Sequence, residues 1–248
     1  MLDVFFLSYN EPFAHDNYQI LLEKAPHAKR INGVTGFFQA HRACAEASMT
    51  HNFYVVDADA IIVDDFDFSF RPSSYNTIWN KPESDIMFVW SSRNPINDLS
   101  YGYGGVKLIP KLPIIKHTGS VDIDFTTSVG LSLITKEQVS NITAFNYDPF
   151  YTWRAAVREC TKLALNLTNR HLESQLKYDI VKIEQALAVT NERLHAWATI
   201  GADRPYGEYA LLGAKYAIEF ANNNKDNNKE LSLINNIEWM KNEFTKFL

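Results

Sequence analysis

The sequence predicts an α/β fold: a mostly parallel sheet flanked by helices, followed by a helical C-terminal region. Three observations carry this. Short apolar runs alternate with segments of helical period from Leu2 to Val63, and each run ends in polar or turn-forming residues. From Tyr151 onward the pattern is helical. With 248 residues and 46% hydrophobic content, the chain suits one α/β domain, 1–150, and a helical region packed on it, 151–248.

The elements follow in order. Leu2–Ser8 (LDVFFLS) is a buried strand that stops at Tyr-Asn-Glu-Pro. Asp16–Ala25 has Tyr18, Leu21 and Leu22 on one helical face. Ala28–Ile31 is a short second strand, and Gly33 and Gly36 mark the loop after it. Phe37–Met49 is an Ala-rich helix, and Phe53–Val56 is the next strand. Asp85–Trp90, Val106–Ile109 and Asp124–Leu133 supply later strands. Three helical segments follow, starting near Tyr151, Ser174 and Tyr209. Asn222–Lys229 reads as a polar loop, and Leu233–Phe247 as the closing helix. No internal repeat is visible.

Composition narrows the class. No apolar run reaches the roughly 18–20 residues that span a bilayer. The start, MLDVFFLSYN, carries an acidic residue where a secretory leader needs basic ones. Cys44 and Cys160 form neither a disulfide framework nor a metal-site spacing, so a cytoplasmic protein with reduced thiols is expected. The net charge is −5 and unevenly placed: residues 1–150 hold 11 basic and 17 acidic side chains, residues 151–248 hold 13 and 12. A pI of about 5.8 argues against a nonspecific nucleic-acid binder.

The chemistry centres on FYVVDADAIIVDDF, residues 53–66. Two carboxylates stand at the end of a buried strand, where uncompensated charge costs several kcal/mol, on the order of 3–5. If the strand continues one step, Asp57 and Asp59 point the same way, and a divalent cation held by oxygen ligands would stabilise them. Carboxyl ends of parallel strands are also where such sheets bind ligands, which adds Ser8, Tyr9, Asn10 and Glu11. A second element spans Ser91–Pro110. Tyr101 and Tyr103 offer flat faces, Gly104 and Gly105 permit close backbone approach, and Arg93 and Lys107 are phosphate-binding candidates. On the helix from Tyr151, Trp153, Arg154 and Arg158 are candidates for a diphosphate or an acceptor phosphate.

An N-terminal strand ending in an Asn-Glu turn, then a strand ending in Asp-x-Asp, resembles glycosyltransferases of the GT-A (Rossmann-like) fold. The resemblance implies Mn²⁺ or Mg²⁺ bridging the diphosphate of a nucleotide sugar, UDP-linked. It implies Asp59 as main metal ligand and Asp57 as a contact to metal or donor ribose. Residues 8–11 would line the nucleotide pocket. Ala40-His41-Arg42 stands where many relatives carry Ala-Arg-Asn, which gives Arg42 a donor-side role. His117 or His195 would complete the metal site. An inverting enzyme of this kind needs a carboxylate base for the acceptor hydroxyl. Asp122 and Asp124, alternating along VDIDF, are the candidates. The stretch from Ser91, with VDIDFTTS and FYTWRAAVREC, is similar to glycosyltransferases of tailed phages, some of which glycosylate hydroxymethylpyrimidines in DNA. It implies 5-hydroxymethylcytosine in double-stranded DNA as acceptor, reached by base flipping. A glycan acceptor is an alternative. So are a haloacid-dehalogenase-type phosphatase with Asp57 as nucleophile and a nonenzymatic binding module.

Overall fold

The computed structural model describes residues 1–102, 104–118, 129–167 and 180–248. The chain forms two compact units, the first comprising 1–94 and 100–144, the second 95–99 and 145–248.

The first unit opens with β1 (Asp3–Ser8), α1 (Ala14–Lys24), β2 (Lys29–Asn32), α2 (Phe37–Ala47) and β3 (Asn52–Asp57). After β3 come β4 (Ala60–Ile62) and a small separate ribbon, β5 (Tyr75–Asn76) with β6 (Lys81–Pro82). The unit continues with β7 (Met87–Arg93), β8 (Ser100–Tyr101), β9 (Val106–Pro110), α3 (Lys111–Lys116) and β10 (Leu133–Thr143). The main sheet has the order β2-β1-β3-β9-β7-β10-β4, with β8 paired to β7.

The sheet is mixed rather than mostly parallel. β1 lies parallel to β2 and β3, and β10 parallel to β7. β9 runs antiparallel to both β3 and β7, β4 antiparallel to β10, and β8 antiparallel to β7. The link from β7 to β8, residues 94–99, is shorter than the dozen or more residues that a parallel crossover needs, which makes that pair antiparallel. Through these pairings β1, β2, β3, β7 and β10 all point the same way.

Alternation along the central strands explains the layers. Val4 and Phe6 of β1, with Tyr54 and Val56 of β3, pack against Ala14 and Leu21 of α1. Phe5, Leu7, Phe53 and Val55 face the other way, onto Cys44 and Ala45 of α2. A strand covered on both faces reads as a continuous apolar run, which is how β1 and β3 look in sequence. β10 reads differently. It begins where the expected 124–133 strand ends, carries Lys136, Glu137 and Gln138, and shifts register on either side of Val139. Bulges of this kind break the two-residue period that would reveal a strand. Residues 121–128 lie outside the described ones.

The second unit holds α4 (Pro149–Ala164), α5 (Ile180–Thr199), α6 (Gly207–Asn224), α7 (Asn228–Leu231) and α8 (Ile237–Phe244). Asp148 caps α4 by accepting from the Tyr151 backbone N–H at 2.7 Å, and Pro149 fits the first turn. The expected polar loop at 222–229 shrinks to residues 225–227, because α6 runs to Asn224 and Asn227 caps α7. The expected single closing helix is interrupted at Asn236, whose side chain accepts from Glu238 and Trp239 N–H. Trp153, Val157, Phe220, Leu231, Ile234, Met240 and Phe244 form this unit's core.

Candidate functional site

Because five strands share one direction, their carboxyl ends meet along one edge of the sheet. In register, Ser8 of β1 lies beside Asn32 of β2, and Leu7 beside Asp57 of β3. The path β1–α1–β2 leaves β1 on one side, and β2–α2–β3 returns to the other. The sheet order reverses between β1 and β3, the kind of point at which open α/β sheets bind ligands. The loop 8–11 and the Asp57–Asp59 segment flank this point.

Ser8 is buried at the carboxyl end of β1. Its Oγ donates to Asn32 Oδ1 at 2.7 Å and accepts from Arg30 Nε at 2.8 Å. Tyr9 is 50% exposed, and its backbone N–H donates to Glu11 Oε2 at 2.7 Å. Asn10 is exposed. On the other side β3 ends at Asp57, and Ala58 and Asp59 turn into β4. The strand does not continue to Asp59, so the two carboxylates are placed by a turn. Asn17 Nδ2 donates to Ala58 O at 2.8 Å, and Ala144 N–H donates to Asp59 O at 2.6 Å.

Asp57 is balanced by an ammonium. Lys107 Nζ lies 2.9 and 2.8 Å from its two carboxylate oxygens, and Lys107 is 2% exposed. On β9, Lys107 stands opposite Val55, on the face covered by α2. Its Nζ is 5.9 Å from the Phe37 ring. The Gly-Gly turn serves this placement. Gly104 has φ +80, and a Cβ there would sit 3.0 Å from Lys107 Cε. A Cβ on Gly105 would sit 2.6 Å from Asn141 Nδ2. The Gly105 carbonyl accepts from Asp57 N–H at 2.9 Å.

The neighbouring groups respond to this charge arrangement. Burial, then the negative charges of Asp57 and Glu11, push the Asp59 carboxyl up to about 6 against the opposing pull of Lys107. His41 is fully buried, and its Nδ1 donates to Phe37 O at 2.9 Å. Burial, then the charge of Lys107, lowers His41 to about 3, so its ring is neutral.

The other expected site residues have different surroundings. Arg42 pairs with Glu46 one turn along α2, at 3.1 Å. Arg93 is exposed at the end of β7. Tyr101 is 6% exposed on β8, so its ring is packed and offers no open face. Lys107 serves Asp57 in place of the expected free phosphate contact. Trp153 is fully buried in the core of the second unit, which makes it a packing residue. Arg154 is half-buried on α4, and His195 is exposed on α5. His117 packs edge-on against Phe38, with ring centroids 5.1 Å apart. Tyr103, Asp122 and Asp124 lie outside the described residues.

Among the described residues no group of three or more His, Cys, Asp or Glu side chains could hold a metal, so the expected three-residue ligand set is not preformed. Mg²⁺ commonly binds through one or two carboxylates, with substrate phosphates and water completing its shell. Asp59 and Asp57 suit that arrangement, and the unfavourable charge on Asp59 is one a cation would relieve.

Sequence reasoning missed the network beside Gly105. Ser92 Oγ and Ser140 Oγ each donate to Asn141 Oδ1 at 2.8 Å, and all three residues are fully buried. They lie on β7 and on the bulged part of β10, where no regular period marks them.

No protein-family profile, curated protein or solved structure matches the chain.

Proposed function

We propose that the chain is a divalent-cation-assisted glycosyltransferase of the GT-A type. It moves a sugar from a nucleoside-diphosphate donor, UDP-linked, to an acceptor hydroxyl. The acceptor we propose is 5-hydroxymethylcytosine in double-stranded DNA. One observation supports the donor chemistry above the others. The Asp57-Ala58-Asp59 segment and the loop 8–11 sit on adjacent parallel strands, at the point where the sheet order reverses. The acceptor rests on the likeness of the later stretches to the phage enzymes.

In this reading Tyr9, half-exposed in the loop 8–11, offers a flat face to the donor. Ser8 and Asn32, hydrogen-bonded to each other, lie at the adjacent strand ends. Asp59, with Asp57 beside it, would hold Mn²⁺ or Mg²⁺, which when bound neutralises the departing diphosphate. Asp122 or Asp124 takes the acceptor proton. The test is thermal denaturation with Mn²⁺, with UDP, and with both. Mn²⁺ and UDP together should raise the melting temperature beyond either alone, and Asp59→Asn should abolish that gain. No shift with any nucleoside diphosphate would refute the donor site.

A further inference from the structure

The Asp57–Lys107 pair raises a problem that the donor reading leaves open. Both oxygens of Asp57 already face one ammonium. A cation approaching the Asp57–Asp59 segment finds half of its carboxylate set occupied. We propose that Lys107 holds the place of the divalent cation on Asp57. Cation binding displaces the ammonium, which then pairs with a diphosphate oxygen of the donor. This inference rests on the donor reading above.

Three features of the structure carry it. Lys107 is 2% exposed, and Asp57 is the one carboxylate that its ammonium pairs with among the described residues. An ammonium has three donors, and two are directed at Asp57. Lys107 lies directly against the Gly104 backbone, where a Cβ would lie 3.0 Å from its Cε and 3.7 Å from its Nζ. The Phe37 ring, 52% exposed, lies 5.9 Å from Nζ and can hold the cation over its face during the exchange. Lys107 is therefore a positioning residue that couples two ligands. With the metal alone, displacement leaves a buried ammonium without a partner. With the diphosphate present, that ammonium regains one. Metal and diphosphate must each strengthen the binding of the other by the same factor.

The experiment measures Mn²⁺ affinity by calorimetry for the wild type and for Lys107→Gln, with and without UDP. Lys107→Gln should bind Mn²⁺ alone about tenfold more tightly than the wild type, because the competitor is gone. UDP should tighten Mn²⁺ binding strongly in the wild type and much less in the variant. Equal or weaker Mn²⁺ binding by Lys107→Gln overturns the inference, and the donor reading stands if UDP and Mn²⁺ still bind together. If neither protein binds Mn²⁺ even with UDP, the donor reading falls and the inference with it. A second measurement needs only the wild type. The ¹⁵N signal of the Lys107 ammonium should shift when Mg²⁺ is added. A signal unmoved at Mg²⁺ saturation overturns the proposal even if Lys107→Gln fails to fold.

Discussion

Asp57 and Asp59 stand one residue apart, yet they act on stability in opposite directions. Asp57→Asn leaves the Lys107 ammonium buried without its counter-charge, and should cost about 3 kcal/mol in urea unfolding. Asp59→Asn removes a carboxylate whose charged form is disfavoured, and should stabilise the protein at pH 7.5 by about 1–2 kcal/mol. The sign follows from proton binding. Asp59 is raised to about 6, so between its ordinary range and that value the folded state binds more protons than the unfolded one. Its contribution is full below the ordinary carboxylate range and is lost as pH rises through about 6. The advantage of Asp59→Asn should therefore grow from pH 5 to pH 7.5. An advantage independent of pH would contradict this. The two aspartates were legible in sequence as a pair at a strand end. The partner of Asp57 was not, because Lys107 lies 50 residues away and only the antiparallel β3–β9 register brings them together.

At the level of elements, the Gly-Gly turn into β9 is the joint of the site. Gly105 holds Asp57 through its carbonyl and leaves no room for a side chain against Asn141. Gly105→Ala should cost about 1–3 kcal/mol through overpacking against a buried amide, which thermal denaturation will read. A neutral effect would mean that Asn141 gives way freely. In sequence the two glycines suggested close approach of backbone to a ligand. Among protein groups, Lys107 and Asn141 are the ones that lie close against these two glycines. β1 and β3 were readable because both of their faces are covered and their apolar runs are continuous. β10 was not, because its bulges and its Lys-Glu-Gln stretch hide the strand period.

On the scale of the whole molecule, the α/β character and the helical second part were legible, while the mixed strand directions come from long-range pairings, such as β9 between β3 and β7, that sequence patterns do not encode. The buried aromatic at Trp153 illustrates the same limit: next to arginines on a helix it looked like a ligand contact, and it is the centre of the second unit's core. Trp153→Ala should destabilise that unit by about 3–5 kcal/mol, and below its transition should leave UDP–Mn²⁺ binding by the first unit intact. Loss of that binding in folded protein would return Trp153 to the site. The central claim is sugar transfer, and the most direct test is mass analysis of nucleosides. The protein is incubated with Mn²⁺, a pool of nucleotide sugars and DNA containing 5-hydroxymethylcytosine, with Asp59→Asn alongside. A hydroxymethylcytidine carrying an added pentose or hexose mass, absent with Asp59→Asn, is the predicted result. Folded protein that neither adds a sugar to any acceptor nor releases a nucleoside diphosphate from any nucleotide sugar would contradict the account.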